Sequence, residues 1–229
     1  TNGAAWSNYV AVWHLDEQVT DEQTSGTHYD VTANRYNGYQ SYNGPTNGVI
    51  VGAQDMDGND YIWRANVVPS QAYTKEAWVR RTGAGNNNII SSDNAAFWAP
   101  DPGNILSAGH NGGWTTVQDA IALPLDSWEH VFVTYDPIAN AGELILYRNG
   151  QQVGYSSGVG APNSSANMWI GAFGGGNNLL GQIDEARVSN VTRSPNWVWA
   201  CYMNIASNDV FNLYDKARSR KVGTVIVVF

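Results

Sequence analysis

Two adjacent carboxylates in the C-terminal third of the chain are the first residues whose types could do chemistry. Asp184 and Glu185 lie side by side in the stretch GQIDEARVS. Hydrolysis of a glycosidic bond normally needs two carboxyl groups that face the sugar from one cleft. Neighbouring side chains of a β-strand point to opposite faces, so we expect a strand here to separate the two carboxylates. The pair alone therefore does not predict an active site.

The other nucleophiles and metal-binding side chains form no familiar catalytic motif. The histidines His14, His28, His110 and His130 occur singly, and the sequence contains neither G-x-S-x-G nor H-E-x-x-H. We expect His14 and His130 to be structural because they lie in strand patterns, whereas His28 and His110 lie in predicted loops. Cys201 is the only cysteine, which excludes an intrachain disulfide and a thiolate metal cluster.

Aromatic residues in predicted loops carry the clearest signal for binding. Trp98 lies in AAFWAPDPGN, and Trp114 lies in GHNGGW close to the polar residues His110 and Asn111. Tyr39 belongs to the tyrosine-rich loop NRYNGYQSYNG. Flat rings combined with a few placed polar groups are typical of sites for sugars. These five residues are our candidate ligand contacts, and for any one ring the alternative of packing under its own loop stays open.

Charge and composition exclude some classes of partner. The formal net charge is −8, and basic residues cluster only near the end, at Lys216, Arg218, Arg220 and Lys221. Binding to nucleic acid needs a clustered basic face, so we predict no nucleic-acid partner and interpret this cluster as a solvated turn. The chain has no apolar run long enough for membrane insertion. A charged fraction of only 14% suits a secreted, loop-rich sheet protein.

Segments with a period of two recur along the chain and are separated by turn residues. The clearest are YVAVWHL, YTKEAWVRR, WEHVFVTYD and GELILYRNG. Asn149 and Gly150, which end the last of these, are typical of a hairpin turn. One helix of two to three turns is predicted after Ser194, a suitable N-cap followed by Pro195 at the first helical position. We expect its Trp197 to pack against the sheet.

About a dozen short strands and one late helix predict an all-β fold, a two-sheet antiparallel jelly-roll sandwich with one short C-terminal helix. Four tryptophans inside strands are expected to fill the space between the sheets, namely Trp13, Trp78, Trp128 and Trp169. The sequence has no internal repeat and no linker-like composition, so we predict one domain over residues 1–229. Residues 212–229 are unassigned, and their final apolar run is predicted to be an edge strand or part of a longer parent polypeptide.

A set of motifs between about residues 9 and 203 carries a family resemblance. They are VWHLDE (12–17), DVTANRYNG (30–38), GAQDMDGNDYI (52–62), YTKEAWVR (73–80), SWEHVFVTYD (127–136), ELILYRNGQQV (143–153), WIGA (169–172) and GQIDEARVSNVTRSPNW (181–197). In this order they resemble the LamG-like and pentraxin-like jelly-roll domains of bacterial surface and secreted proteins, within the concanavalin A-like lectin/glucanase superfamily. The resemblance implies a module that binds polysaccharide or glycan outside the cytoplasm.

The resemblance also implies a metal site and a test for catalysis. Several related domains hold a structural Ca²⁺, and the matching positions here are Asp30, Asn34, Asp57 and Asp184. Glucanases of the superfamily carry a Glu-x-Asp-x-x-Glu strand, but the matching face here is expected to present Gln182, Asp184 and Ala186. The flanking acids are absent, so a non-catalytic carbohydrate-binding or adhesive module is favoured.

Two other functions remain open as alternatives. One is a glycoside hydrolase or lyase on the same fold, with its second carboxylate on a different strand. The other is a protein-interaction domain of a bacterial envelope protein.

Overall fold

The computed structural model describes residues 7–67 and 71–211, which form two β-sheets packed face to face. The unassigned segment 212–229, with its apolar run and basic cluster, lies outside the described residues. Within the described residues, sixteen strands follow one another along the chain. They are β1 (Tyr9–Trp13), β2 (Thr27–His28), β3 (Gly38–Ser41), β4 (Gly44–Asn47), β5 (Gly52–Asp57), β6 (Tyr61–Ala65), β7 (Tyr73–Arg81), β8 (Ile90–Ser92), β9 (Ala95–Trp98), β10 (Ile105–His110), β11 (Gly113–Ala122), β12 (Trp128–Asp136), β13 (Glu143–Arg148), β14 (Gln151–Ser157), β15 (Asn167–Ile170) and β16 (Leu180–Ser189).

Each sheet has eight strands, and the paired strands are antiparallel. Sheet A has the order β14-β13-β12-β7-β16-β5-β4, with β1 also paired to β16. Sheet B has the order β11-β10-β9-β8-β15-β6-β3-β2. The non-consecutive neighbours require the chain to cross between the sheets, as in a jelly roll. The predicted fold class is confirmed.

The hairpin predicted at Asn149 and Gly150 joins β13 to β14. Both residues have positive φ, 51° and 76°, which suits the tight turns that match the twist of paired strands. The Asp-Gly turn between β5 and β6 behaves similarly, because Gly58 has a φ of 114° that a side chain would disfavour. The first turn fixes the register of the paired strands β13 and β14, whereas the second carries the chain from β5 in sheet A to β6 in sheet B.

The core between the sheets is apolar with one buried amine. Trp13 and Phe97 are fully buried in it. Lys75, on β7 of sheet A, also points into the core, and its Nζ donates to the carbonyl oxygens of Ile90 (3.1 Å) and Ala95 (2.8 Å) in sheet B. Burial lowers the pKa of the Lys75 amine to about 7. This residue hydrogen-bonds the two sheets together across their apolar interface.

The tryptophan prediction is confirmed for Trp13 and wrong for the other three. Trp78 and Trp128 alternate with the core residues of their strands, so both lie on the outer face of sheet A. Trp169 stands between two core residues of β15 and therefore lies on the outer face of sheet B. A strand pattern identifies which residues share a face, but it does not say which face is inside.

A helix covers part of the outer face of sheet A. Helix α1 (Pro195–Ala206) begins as predicted, since the Ser194 side chain accepts from the Trp197 N–H at 3.3 Å. A single turn, α2 (Asn208–Phe211), follows it. Val198 is the residue that α1 buries, in a small cluster with Phe132 and Tyr147. Trp197 is 41% exposed, so the prediction that it packs against the sheet is wrong.

The described residues contain no helix with both the length and the apolar character needed to cross a membrane.

Candidate functional site

The adjacent carboxylates of β16 lie at a β-bulge. The register between β16 and β7 shifts by one residue between Asp184 and Arg187, and Glu185 has a φ of 53°. Ile183 and Ala186 both point into the core, so Asp184 and Glu185 lie between two inward-facing residues. An extra residue in a strand interrupts alternation. The prediction that alternation sends the two carboxylates to opposite faces is therefore wrong, and Ala186 does not share a face with Gln182.

Asp184 and Glu185 nevertheless bind different partners. The Oδ2 atom of Asp184 accepts from the backbone N–H groups of Val49 (2.8 Å) and Ile50 (3.1 Å). Burial raises the pKa of the Asp184 carboxyl to about 7, and repulsion from Glu185 adds to the shift. Asp184 thus anchors the loop before β5 rather than facing a cleft together with Glu185.

Glu185 belongs to a buried ionic cluster on the outer face of sheet A. Its carboxylate binds His14 at 2.6 Å and also pairs with Arg187, which reaches Glu76 at 2.9 Å. Burial acts to raise the pKa of Glu185, but the hydrogen bond from His14 and the charge of Arg187 hold it below its usual value. The hydrogen bond to Glu185 raises the pKa of His14 despite partial burial. The carboxylates of Glu76 and Glu185 are therefore occupied by internal partners.

The position that would carry a glucanase acid is filled by an amide. Gln182 Oε1 accepts from Arg80 at 3.1 Å, and its Nε2 donates to Thr46 at 3.3 Å. The last acid of the motif would fall at residue 187 by its spacing, where the chain has Arg187. Neither Gln182, Ala186 nor Arg187 can serve as a carboxylic acid towards a glycosidic oxygen. The local structure thus offers no glucanase-type pair on β16.

Two of the four residues predicted to bind Ca²⁺ have structural roles instead. Asp30 is fully buried, and its carboxylate accepts hydrogen bonds from Val12, Thr32 and Tyr36. Asn34 donates to the carbonyl oxygen of Val10 at 2.8 Å. These bonds close the loop after β1 onto the strand, so Asp30 and Asn34 act as loop anchors, a common role of short polar side chains that bind nearby backbone groups.

Asp57, in contrast, lies in a group of acids with oxygens close together. Carboxylate oxygens of Glu22, Asp57 and Asp60 all lie within 4.8 Å of one another. Asp30 and Asp184 do not belong to this group, so the structure does not assemble the predicted metal set. Burial raises the pKa of Asp60 to about 6, and the charges of Asp57 and Glu22 add to the shift.

The side-chain amide of Asn59 completes this acidic group. One of its terminal atoms lies 2.9 Å from Asp60 Oδ1 and 2.5 Å from Asp57 Oδ1. When its nitrogen occupies that place, the amide donates to both carboxylates. An amide oxygen there would be a fourth oxygen near the three acids, of the kind that suits a hard cation.

The two tryptophans predicted to contact a ligand come together in one cleft. Trp98 at the end of β9 donates from Nε1 to the carbonyl oxygen of Trp114 on β11, at 2.9 Å. Both rings are partly exposed, and with Phe173 they line a shallow, open cleft. The Trp114 and Phe173 ring centres are 5.3 Å apart. Aromatic walls of this kind suit the apolar face of a small ring-shaped ligand.

Polar groups complete the lining of this cleft. Asn88, Asn177 and Ala96 are the remaining lining residues, and none of the residues that line it is charged. The Asn88 side chain is buried and held by the carbonyl of Asn177 at 2.7 Å and the hydroxyl of Ser91 at 2.7 Å. Asn177 is exposed, and its Oδ1 accepts from Asn86 at 2.8 Å. The cleft thus combines aromatic walls with one exposed amide, that of Asn177, which can hydrogen-bond a hydroxyl group.

The other three predicted contacts lie outside this cleft. His110 ends β10 as a buried residue, and its ring binds the Tyr73 hydroxyl (2.7 Å) and the Gly160 carbonyl (2.8 Å). Burial lowers its pKa to about 4, so the predicted ligand contact at His110 does not agree with its environment. The Asn111 side chain is exposed but binds Ala161 and Asn163, which fixes a neighbouring loop. Tyr39 is exposed on β3 and contacts Trp63.

Sequence reasoning missed Phe173, Asn88 and Asn177. The available signal was the glycine-rich stretch GAFGGGNN (171–178). Gly174 and Gly175 have φ values of 63° and 77° and form the tight turn between Phe173 and Gly176. An aromatic residue beside such a turn is held at the surface, where a ligand can reach it.

A comparison with protein-family models identifies the family. The Laminin_G_3 model, described as concanavalin A-like lectin/glucanases superfamily, matches residues 55–198, more than half of the 229 residues. The chain belongs to this superfamily. The resemblance inferred from the sequence motifs is thereby confirmed. The match covers the candidate cleft and the acids of β16, although not the loops before β5. No curated protein sequence matches the chain.

Solved structures with the superfamily fold resemble this chain at low sequence identity. Domain 4 of AbnA, an extracellular arabinanase from Geobacillus stearothermophilus solved with arabinotriose, has a TM-score of 0.66 and 18% identity, over 83% of this chain and 96% of that chain. The binding domain of botulinum neurotoxin DC, solved with SialylT, has a TM-score of 0.61 and 9% identity, over 87% of this chain and 52% of that chain.

Trypanosoma rangeli sialidase has a TM-score of 0.61 and 10% identity, over 90% of this chain but only 33% of that chain. At these identities the likeness shows the fold alone. The fold is therefore one that occurs in sugar-binding domains and also in chains of glycosidases.

Proposed function

We propose that this protein is a non-catalytic carbohydrate-binding module of a secreted or cell-surface protein, and that the cleft of Trp98, Trp114 and Phe173 binds the sugar. One observation carries this proposal. Two partly exposed tryptophans are paired around an uncharged cleft that has asparagine amides in its lining. Rings of this type stack on the C–H faces of pyranoses, and amides bind the hydroxyl groups around them. Solved structures of the same fold with bound sugars support the ligand class.

The buried carboxylates support a binding function over a hydrolytic one. Glu76 and Glu185 are bound to Arg187 on the outer face of sheet A, whereas the aromatic cleft belongs to sheet B. A glycosidase needs its acid and base on either side of the scissile bond, and no acid lines this cleft.

Truncation of Trp114 tests the proposed site. In Trp114→Ala the backbone carbonyl that accepts from Trp98 is retained, so we expect the fold to remain and the ring contact to be lost. The variant should lose retention on the polysaccharides and array glycans that bind the native protein. Trp199→Ala, which removes a tryptophan 42% exposed on α1, is the matched control and should bind normally.

Experiments with the same glycans distinguish the binding module from the two alternatives, an enzyme and a protein-interaction domain. Equal binding of Trp114→Ala and the native protein would show that the site is elsewhere. Release of reducing ends or of unsaturated products from a bound polysaccharide would favour the enzyme, and capture of a protein partner that sugars do not displace would favour the interaction domain.

A structural Ca²⁺ is also proposed, with a different set of ligands from the one the family resemblance implies. Glu22, Asp57 and Asp60 supply the carboxylate oxygens. Calcium binds six to eight oxygens, so backbone carbonyls and water would complete the shell. The raised pKa of Asp60 supports this assignment, because a carboxylate crowded by like charges is stabilised by a cation.

A further inference from the structure

The outer face of sheet B carries a row of aromatic rings that continues from the proposed cleft. We define the aromatic row as Tyr39, Trp63, Trp169, Phe173 and Trp114. Tyr39, Trp63 and Trp169 lie directly opposite one another on the neighbouring strands β3, β6 and β15. Side chains that are directly opposite on paired strands are close enough to touch, so the row crosses the strands at right angles.

Ring contacts join the members of the row in two groups, and Trp63 and Trp169 connect these groups through their directly opposed positions on β6 and β15. The ring centres of Tyr39 and Trp63 are 5.2 Å apart, those of Trp169 and Phe173 are 6.5 Å apart, and those of Phe173 and Trp114 are 5.3 Å apart. Phe173 and Trp114 also line the cleft. The cleft is therefore one end of a continuous aromatic surface.

The row is accessible because its members point away from the core. Ile62 and Ile170, which flank Trp63 and Trp169 in sequence, both belong to the core, and alternation sends the tryptophans outward. Trp63 is 37% and Tyr39 is 41% exposed. Arg64 holds the Tyr39 ring in place, since its Nη1 donates to the Tyr39 hydroxyl at 3.0 Å and its guanidinium lies 5.6 Å from the ring centre.

The spacing of the row matches a linear sugar chain. Neighbouring strands are about 4.8 Å apart, close to the repeat of one sugar unit in an extended polysaccharide. The three rings on β3, β6 and β15 follow this strand spacing, so each of these two steps corresponds to about one sugar. With Phe173 and Trp114 beyond them, we expect the row to accommodate about four units. A peptide bound across the strands would have no backbone partners here, because the central strands of the sheet are already paired on both sides.

The tilt of the rings favours binding of a single polysaccharide chain over binding to the flat surface of a crystalline polysaccharide. Neighbouring rings are inclined by 43°, 46° and 59°, so they do not form the coplanar platform that a crystalline polysaccharide needs. The uncharged lining of the cleft favours neutral sugars at that end of the row, since an acidic sugar would lack a counter-ion there. At the other end the Arg64 guanidinium is engaged by the Tyr39 hydroxyl and ring.

We propose that the aromatic row is an extended binding site for one soluble, neutral polysaccharide chain, which crosses the strands of sheet B and ends in the Trp98–Trp114 cleft. This inference rests on the proposed function, because the cleft anchors the chain. It adds the ligand's length, charge and physical state, which the cleft alone does not determine.

Titration calorimetry with oligosaccharides of one to six units tests the row. The probes are cello-, xylo-, manno- and arabino-oligosaccharides as neutral chains, with sialyllactose and oligogalacturonates as acidic ones. Affinity should rise with length up to about four units and then level. The acidic probes should bind at least tenfold more weakly, and the protein should not be retained on crystalline cellulose.

Variants separate the row from the cleft. Trp63→Ala should weaken binding of a tetrasaccharide roughly tenfold, as expected for one stacked ring, and leave binding of a mono- or disaccharide unchanged. Trp63→Phe should restore part of the loss, and Trp199→Ala should change nothing. Trp114→Ala should weaken binding of every length.

The possible failures differ from one another. Short sugars that bind with dependence on Trp114 but gain nothing from added units, or a Trp63→Ala variant that binds long chains normally, would overturn the row and leave the proposed function intact. Tighter binding of acidic probes or retention on crystalline cellulose would overturn the stated ligand. Absence of binding to any probe would refute both proposals.

Discussion

Lys75 lies in an environment far from that of a lysine in solution. Its amine is fully buried between the sheets and donates to two backbone carbonyl oxygens. A lysine without a carboxylate partner in such a place loses its proton more easily, because burial disfavours the charged form. The contribution of Lys75 to the free energy of unfolding therefore depends on pH.

The pH dependence of stability tests this view of Lys75. Its folded pKa of about 7 lies below the usual lysine value of 10.5. Between these values the unfolded chain binds more protons than the folded chain, so the free energy of unfolding rises with pH in this window. Relative to Lys75→Met, the native protein should gain stability from pH 7 to pH 10 by at most about 1.4 kcal/mol per pH unit.

Urea denaturation at each pH gives the required free energies. Val79→Ala is the matched control, because Val79 is fully buried on the same face of β7 and does not titrate. Its destabilisation should be independent of pH. A constant difference between the native protein and Lys75→Met over the whole window would contradict the lowered pKa.

The position of α1 depends on its first turn. Ser194 accepts from the Trp197 N–H, Pro195 fills the first helical position, and the helix buries Val198 on sheet A. Only a few side chains of α1 reach the sheet, so the cap has a large share in fixing where the helix begins. The helix in turn covers Trp78 and His130, which stack at 4.6 Å on the face below it.

Removal of the cap should loosen this element. Ser194→Ala leaves an N–H group of the first turn without its side-chain acceptor, and we expect a loss of about 1 kcal/mol in the free energy of unfolding. Ser194→Asp keeps an acceptor and should be close to the native value. Chemical denaturation measures both variants, and equal stability of Ser194→Ala and the native protein would mean that the cap bond contributes nothing.

The acidic group at one end of the sandwich involves both sheets. Asp57 ends β5 of sheet A, Asp60 immediately precedes β6 of sheet B, and Glu22 comes from the loop between β1 and β2. Ca²⁺ at this place would link segments that are far apart in the chain. Repulsion among the carboxylates would be replaced by attraction to the ion.

Thermal melting with and without Ca²⁺ tests this link across the whole molecule. A ligand that binds only the folded state adds about 2.7 kcal/mol when its free concentration is a hundred times its Kd. The melting temperature should therefore rise when Ca²⁺ is added to chelated protein. Asp60→Asn should abolish the rise, whereas Asp126→Asn, at an exposed carboxylate with one weak 3.6 Å ion pair, should preserve it. An unchanged melting temperature at millimolar Ca²⁺ would remove the metal.

Local patterns in the sequence determined the fold class and several of its details. Alternation of apolar residues predicted the strands, Asn149-Gly150 predicted the hairpin, and Ser194-Pro195 predicted the start of α1. Each of these signals acts over a few residues, where backbone geometry depends mainly on the side chains nearby. The candidate pair Trp98 and Trp114 could also be chosen from the sequence, because both rings stand beside polar, glycine-rich segments. The structure places them near the ends of strands β9 and β11 rather than in the predicted loops.

Only the tertiary structure determined which residues and strands become neighbours. The bulge at Asp184 and Glu185 arises from pairing with β7, and the outward face of Trp169 depends on which side of sheet B meets sheet A. The sequence predicts a loop at His110, but in the structure its buried ring binds Tyr73 and Gly160. Asp57 lies beside Glu22 and Asp60 in a group that the motifs did not predict. Period-two patterns fix which residues share a face. Which face is buried, and which strands become neighbours, is set by long-range packing between segments that no local pattern connects.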